Sequence, residues 1–390
     1  METADLKARV AERVDARAGA LDELALRIHD RPELAFEERF ASSALADHLA
    51  GEGVAVTRGA GGLETAFAAE IGSGLPLVAI LGEYDALPGV GHACGHNLMG
   101  TAASLAFLAL RDVAPELRGR VRIVGCPAEE RGNGKAKLIR AGVFSDVNAA
   151  LMFHPGDRDE LDPLMLAMVT LDIEFIGKAA HAAAEPHEGR NALDAVMLAW
   201  TALSALRLTV RSDSRFHGII TDGGKAANII PDRAAATFMV RSPDNAYLRD
   251  LRRRVLACFE GAAAATGCEL HPAWSDVCEM VSTNRPLADA FAANAKTLGR
   301  EMKARRPGDT HGSTDMGNVT SILPGIHPFL SITDGPVPGH STAFAAAART
   351  PLALQTMHIA AKALAMTAID VLRDDKLRDR AKEAFIGQRH

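Results

Sequence analysis

Four separate stretches of the sequence carry side chains that could hold a cation and activate water. The segment His92-Ala-Cys94-Gly-His96-Asn97 places a thiol and two imidazoles within five residues. Glycine between Cys94 and His96 permits an unusual backbone, so both outer side chains can project toward one point. A cation there would favour the thiolate. Taken alone, Cys-Gly-His is equally the pattern of a buried cysteine beside a loop histidine. Glu129 and Glu130 are adjacent in PAEERG. Neighbouring carboxylates repel when both are ionised; a cation on one relieves this and leaves the other to carry a proton. By itself such a pair also suits a solvated surface. His154 in MFHPGD and His340 in PVPGHSTAF are single histidines and weak signals one at a time. Together, Cys94, His96, Glu130, His154 and His340 exceed one tetrahedral shell, which suggests two metal ions sharing a bridge. Thiolate and imidazole suit zinc; the carboxylate leaves manganese, cobalt or nickel open.

These residues need elements that bring them together. From Leu21 to about Pro163, short apolar runs alternate with helical patterns. PLVAIL from Pro76, RVRIVG from Arg120 and AALMF from Ala149 read as strands. Ser42–Leu49, Leu98–Leu110 and Ala136–Ala141 read as helices. That alternation predicts an α/β domain with a mostly parallel sheet covered by helices. The first run leads to Glu83 and Asp85, the second to Glu129 and Glu130, the third to His154. Ligands of open α/β sheets sit outside the carboxyl ends of the strands. From Val169 to Val281 the pattern changes: VTLDIEFIG, GIITDGG and AAATFMVR read as strands, Ala192–Thr209 and Ala246–Thr266 as helices. This predicts a smaller α+β domain, residues 169–281, inserted into a discontinuous catalytic domain of residues 1–168 and 282–390.

Composition narrows the function further. In 390 residues, 48% are hydrophobic and 24% charged, as in globular proteins. The net charge of −6 offers no basic surface for nucleic acid or an anionic membrane. No uninterrupted apolar run reaches the ~18 residues of a membrane span. The opening METADLKARVAERVDARAGALDEL lacks the apolar core of a targeting segment. Five cysteines are not a disulfide framework, so a reducing cytoplasm is expected. Cys126, Cys258, Cys268 and Cys278 are expected to be buried. There is no phosphate loop, GxGxxG, GxSxG, HExxH or CxxC.

The chain resembles the aminoacylase/zinc-carboxypeptidase-like amidohydrolases, metallopeptidase family twenty, and within them the aminobenzoyl-glutamate hydrolase and β-alanyl-dipeptidase subgroup. The resemblance rests on HDRPELAFEE, GEYDALPGVGHACGHN, CPAEERGNGK, MFHPGD, FIGKAAHAAAEPHEGRNALDAV, DGGKAANIIPDRAAATFMVR, GSTDMGNVT and PGHSTAF, in this order along almost the whole chain. It implies that Cys94, His96, Glu130, His154 and His340 bind two divalent ions. It makes Glu129 the general base and acid, and Asp85 a support behind the ligands. By the same resemblance His181 polarises the scissile carbonyl from the partner subunit, and Asn228 and Arg241 bind polar or carboxylate groups of the substrate. It also implies a ferredoxin-like inserted domain that forms a homodimer and moves as a lid. The expected reaction is hydrolysis of the amide of an N-acyl amino acid, an aminobenzoyl-glutamate-like compound or a dipeptide. Two other readings stay open: a hydrolase releasing ammonia from an activated carbon, and a non-catalytic metal-binding scaffold. Asn97 where relatives often have Asp, Glu83 where many have Arg, and GSTDMG in place of a Glu-Asp motif depart from ordinary aminoacylases.

Overall fold

The computed structural model describes residues 2–306, 308–309 and 312–388. The chain folds as two compact units, Met1–Leu164 with Val281–His390, and Met165–Met280. The second begins ahead of Val169 because its first strand already starts at Ala167.

The strands of the first unit before the insertion are β1 (Val56–Arg58), β2 (Phe67–Ser73), β3 (Leu77–Glu83), β4 (Gly119–Cys126), β5 (Ala149–Leu151) and β6 (His154–Gly156). β4, β3, β5 and a two-residue strand, Gly325–Ile326, lie side by side and parallel. β2 pairs antiparallel with β4, and β1 with β2. The sheet is therefore mixed; strand–helix alternation reveals the parallel centre but not the antiparallel ribbon at its edge. Every residue of β3 is buried, as a central parallel strand covered on both faces requires. From β3 the chain moves to β4 on one side, then crosses to β5 on the other. That reversal opens a crevice beyond the carboxyl end of β3. β6 pairs in parallel with Phe329–Ser331 outside the main sheet.

The helix His96–Arg111 fills the centre of this unit. It is buried from His96 through Leu110 and packs against β3 and the helices Thr3–His29 and Pro351–Arg373. A Cβ on Gly82 would come within 2.8 Å of Gly100 Cα, so two glycines let this helix sit directly on β3. Thr3–His29 buries Leu6, Val10, Val14, Leu21, Leu24, Ala25 and Ile28, one stripe of a 3.6-residue period.

In the second unit, β7 (Ala167–Ile176), β8 (Arg215–Asp222), β9 (Arg233–Ser242) and β10 (Glu269–Trp274) form an antiparallel sheet in the order β10-β7-β9-β8. Helices Ala192–Leu206 and Asn245–Thr266 connect the outer pairs, the β-α-β-β-α-β pattern of ferredoxin-like domains. Asn191 and Asp244 cap them by accepting backbone N–H bonds. β7 and β9 alternate buried and outward residues, and Val169, Leu171, Ile173, Phe175, Phe238 and Val240 meet Phe259 of the second helix in the core. Two stretches, Ala192–Thr209 and Pro351–Arg373, have the length and mean hydropathy of a membrane span. The second is largely core; the first leaves Met197, Leu198 and Leu208 exposed. Cys126, Cys268 and Cys278 are buried as expected, whereas Cys258 is only half-buried.

Candidate metal centre

Three backbone irregularities aim side chains into the crevice beyond β3. Gly95 has φ +72°, and a Cβ there would meet Pro155 at 2.9 Å. This left-handed residue starts the helix at His96 and sets the Cys94–His96 turn against β6, which carries His154. After β4, Ala128 takes φ +59°, a costly conformation for a residue with a Cβ. The buried carboxylate of Glu38 holds it: one oxygen accepts the Ala128 N–H at 2.8 Å and the other the Thr65 hydroxyl at 2.9 Å. Glu129 and Glu130 follow immediately. His340 takes φ +57° and donates its N–H to Ala93 O at 3.1 Å, which docks its loop beside Cys94.

These turns bring together residues from four stretches. Ligand atoms of Cys94, Glu130 and His340 lie within 4.8 Å of one another, and so do those of Cys94, His96 and His154. Cys94 belongs to both groups. A third group joins Glu83, His96 and Glu129. Asp85 stands behind them. Its Oδ1 is 2.9 Å from His96 Nδ1, and its Oδ2 accepts the Glu130 N–H at 2.9 Å. A carboxylate partner holds a proton on Nδ1 of His96 and leaves Nε2 as the nitrogen that a cation would take. Likewise His154 Nδ1 lies 2.6 Å from Pro155 O, so it donates there and leaves Nε2 for another partner.

The residues fit divalent cations. His96 Nε2, Glu83 Oε2 and Glu130 Oε1 are buried without a hydrogen-bond partner, although such atoms are costly to leave unsatisfied. Charge is unbalanced too: Glu83, Glu129 and Asp315 gather near the buried ammonium of Lys135, while Asp85 and Glu130 lie near His96. Burial, reinforced by Glu83 and Glu130, pushes Glu129 well above the usual carboxylate range. Burial also raises Glu130. The Cys94 thiol is pushed well up by burial and then by Glu130. Burial alone would lower His96, but Asp85, Glu83 and Glu130 overcome it and raise it. Each direction expresses a surplus of negative charge in a desolvated pocket.

The remaining sequence candidates belong to the second unit. His181 is exposed on a loop after β7, and its Nδ1 accepts the N–H groups of Ala183 and Ala184 at 3.2 Å. Ala182 N–H donates to Asn228 O at 3.0 Å, so His181 and Asn228 sit on paired segments. Arg241 lies elsewhere. It is half-buried near the far end of β9, opposite Met168, whereas the His181 loop leaves β7 beside Arg233. Arg241 lies eight positions along the strand from Arg233, about 26 Å at ~3.3 Å per residue. Within one subunit, then, Arg241 and the His181–Asn228 pair do not converge on one small molecule.

Motif spacing does not identify Glu38, Lys135 or Asp315. Glu38 is the clearest case, because HDRPELAFEE gives it no role while the structure buries it completely. Burial, with Asp85 adding to it, pushes Glu38 up to about 7. A carboxyl raised in the fold gives stability that is full below its unfolded value near 4.5 and is lost as pH rises through 7. Glu38→Gln keeps an oxygen for Ala128 and removes the ionisation. Thermal melts are expected to show the variant above the wild type at pH 8.5, the gap closing below pH 5. A constant gap across that range would contradict the buried-carboxyl account.

A model of the family described as Peptidase family M20/M25/M40 matches residues 79–370. The chain is 39% identical over 402 residues to the Xaa-Arg dipeptidase of Mus musculus, a match covering 97% of this chain and 92% of that protein. It is 36% identical over 303 residues to one of the subunits of the p-aminobenzoyl-glutamate hydrolase of Escherichia coli, covering 72% of this chain and 63% of that one. Among solved structures, a dinuclear metal binding peptidase from the M20 family of Bacillus subtilis superposes with TM-score 0.71 at 23% identity, covering 92% of this chain and 99% of that one. A family match across most of the chain, with full-length similarity to a dipeptidase, leaves one conclusion: the chain belongs to peptidase family M20/M25/M40 and is a hydrolase of amide bonds.

Proposed function

We propose that the chain hydrolyses the amide of a dipeptide or N-acyl amino acid at a pair of divalent cations. Cys94, Glu130 and His340 would hold one, and Cys94, His96 and His154 the other. The two groups sharing Cys94 carry this reading. It is supported by the dinuclear site named for the Bacillus subtilis peptidase and by the amide substrates named for the Mus musculus and Escherichia coli relatives. Cations bound there would acidify water and polarise the scissile carbonyl. Glu129 takes a proton from the attacking water and returns it to the leaving nitrogen, as base and then acid. Burial and the acids around it favour the protonated form that the second half of that task needs. Asp85 keeps the His96 ring and the Glu130 backbone in register. The roles that family resemblance implies for His181, Asn228 and Arg241 belong to the same proposal.

A homodimer through the second unit is part of it. Leu208 is 90% and Ile219 64% exposed, and Met197, Leu198 and Ile220 are also open to solvent along one helix and the edge strand β8. An unpaired edge beside exposed apolar side chains is a surface for a second copy. Two copies would also let Arg241 of one subunit and His181 of the other serve one substrate, which a single subunit does not allow.

The test is a panel of dipeptides, including ones ending in arginine, together with N-acetyl amino acids and aminobenzoyl-glutamate. It is run on protein reconstituted separately with zinc, manganese and cobalt. Release of the amine half, abolished by chelation, is the expected result. Release of ammonia instead would favour the deaminase-type reading, and no product from any substrate would defeat the hydrolytic one.

A further inference from the structure

Glu83 ends β3 fully buried, with its two oxygens in different environments. Oε1 accepts from the ammonium of Lys135, which is itself completely buried and also bonded to Asp315. Asp315 accepts the Lys135 backbone N–H as well, at 2.8 Å, so the lysine is fixed at both ends. One positive charge is thus shared between two carboxylates. Oε2 has no hydrogen-bond partner and lies 3.4 Å from His96 Nε2, which has none either. Asp85 already fixes the proton on Nδ1 of that ring. Without a proton on Nε2, a lone pair and a carboxylate oxygen face each other across a desolvated gap, and a cation between them would take that proton's place.

The gap has the right size. Zinc bonds to nitrogen and oxygen are about 2.1 Å, and a tetrahedron with such arms has edges of ~3.4 Å. We propose that Glu83, which groups with His96 and Glu129, is a further ligand of the cation that His96 would bind, presented through Oε2, and that Lys135 and Asp315 are positioning residues that lock it there. The inference rests on the metal centre proposed above and enlarges it. Two cation positions then receive carboxylate oxygen on both sides, from Glu130 at one and Glu83 at the other. The Lys135 bond prevents Glu83 from turning away or binding through both oxygens. Because Lys135 also bonds Asp315, Glu83→Gln leaves one lysine against one carboxylate, a balanced buried pair, and the fold has reason to tolerate it.

The experiment compares wild type, Glu83→Gln and Glu83→Asp after stripping and reloading with zinc. Bound metal is counted by mass spectrometry, and stepwise affinity is measured by competition with a chromophoric chelator. The wild type is expected to hold two equivalents. Both variants are expected to keep one and to bind the other more weakly by more than the roughly 10–100-fold that loss of a residue behind a ligand costs. Glu83→Asp retains the charge but withdraws the oxygen by one methylene, so it separates ligation from simple charge balance and stands in should Glu83→Gln not fold. In cobalt-loaded protein the ligand-field absorption of the weakened equivalent should change while the sulfur-to-cobalt band from Cys94 persists. Two equivalents at wild-type affinity in both variants would overturn the assignment of Glu83 alone. A wild type that binds no cation would overturn the whole centre.

Discussion

Replacing Glu129 by glutamine is expected to lower kcat by about 10²–10⁴, the usual contribution of a positioned general base, while the protein keeps both cations. Glutamine has the shape of glutamate and no exchangeable acid proton. Glu129 stands outside the two groups that share Cys94, yet its carboxylate lies within 4.8 Å of ligand atoms of Glu83 and His96. It therefore reaches the water without being needed to hold the metal. The strained turn at Ala128, pinned by Glu38, fixes where it points. Burial and the neighbouring carboxylates give it a strong hold on a proton, so the rising acid limb of kcat/KM in the wild type should be absent from the variant. Rates of amine release alongside metal analysis decide the matter. Full turnover with two cations bound would remove Glu129 from the mechanism; loss of metal together with turnover would make it a ligand instead.

What could be read from the sequence follows from how local each feature is. The parallel centre of the sheet and the residues at its strand ends were legible, because apolar runs of strand length are followed directly by Asp85, Glu129-Glu130 and His154. Cys94 and His96 were legible because Cys-Gly-His is compact, and Gly95 takes the left-handed conformation for which glycine is suited. The Glu83–Lys135–Asp315 cluster was not. Lys135 is 52 residues from Glu83 and 180 from Asp315, and it sits in CPAEERGNGK, whose spacing names no partner for it. Only the tertiary fold reveals that its ammonium lies among these acids. The helix Thr3–His29 was partly hidden for another reason. Its buried stripe is diluted by alanine and arginine, so charge alternation dominates the pattern although the spacing of Leu6, Val10 and Val14 is helical. Arg241 and His181 show the opposite limit: the family resemblance assigns both to the substrate, and the register of β7 on β9 separates them within one chain.

Cys94 should be the least replaceable ligand, because among the described residues it alone belongs to both groups at the heart of the site. Cys94→Ala is expected to weaken both cation positions and reduce hydrolysis to background, where loss of His340 or His154 would strike one position first. The buried thiol supplies a second, independent reading. Burial, with Glu130, Glu129 and Asp85 adding to it, holds the Cys94 thiol well above its ordinary range, so the metal-free protein carries a proton on sulfur at neutral pH. Binding must expel that proton, because the thiolate is the ligand. Apparent affinity therefore rises with pH, by about tenfold per unit for each proton released. Cys94→Asp offers a bridging carboxylate in place of sulfur, and should recover part of the binding that Cys94→Ala loses. Its affinity should rise less steeply with pH, by about one proton, since in the metal-free protein a carboxyl gives up its proton at lower pH than a thiol does. Chelator competition between pH 6 and 9 measures the slope for each protein. If Cys94→Ala still bound two equivalents, or if the slopes of wild type and Cys94→Asp coincided, sulfur would not bridge this centre, and the two groups that meet at Cys94 would have to be divided between other donors.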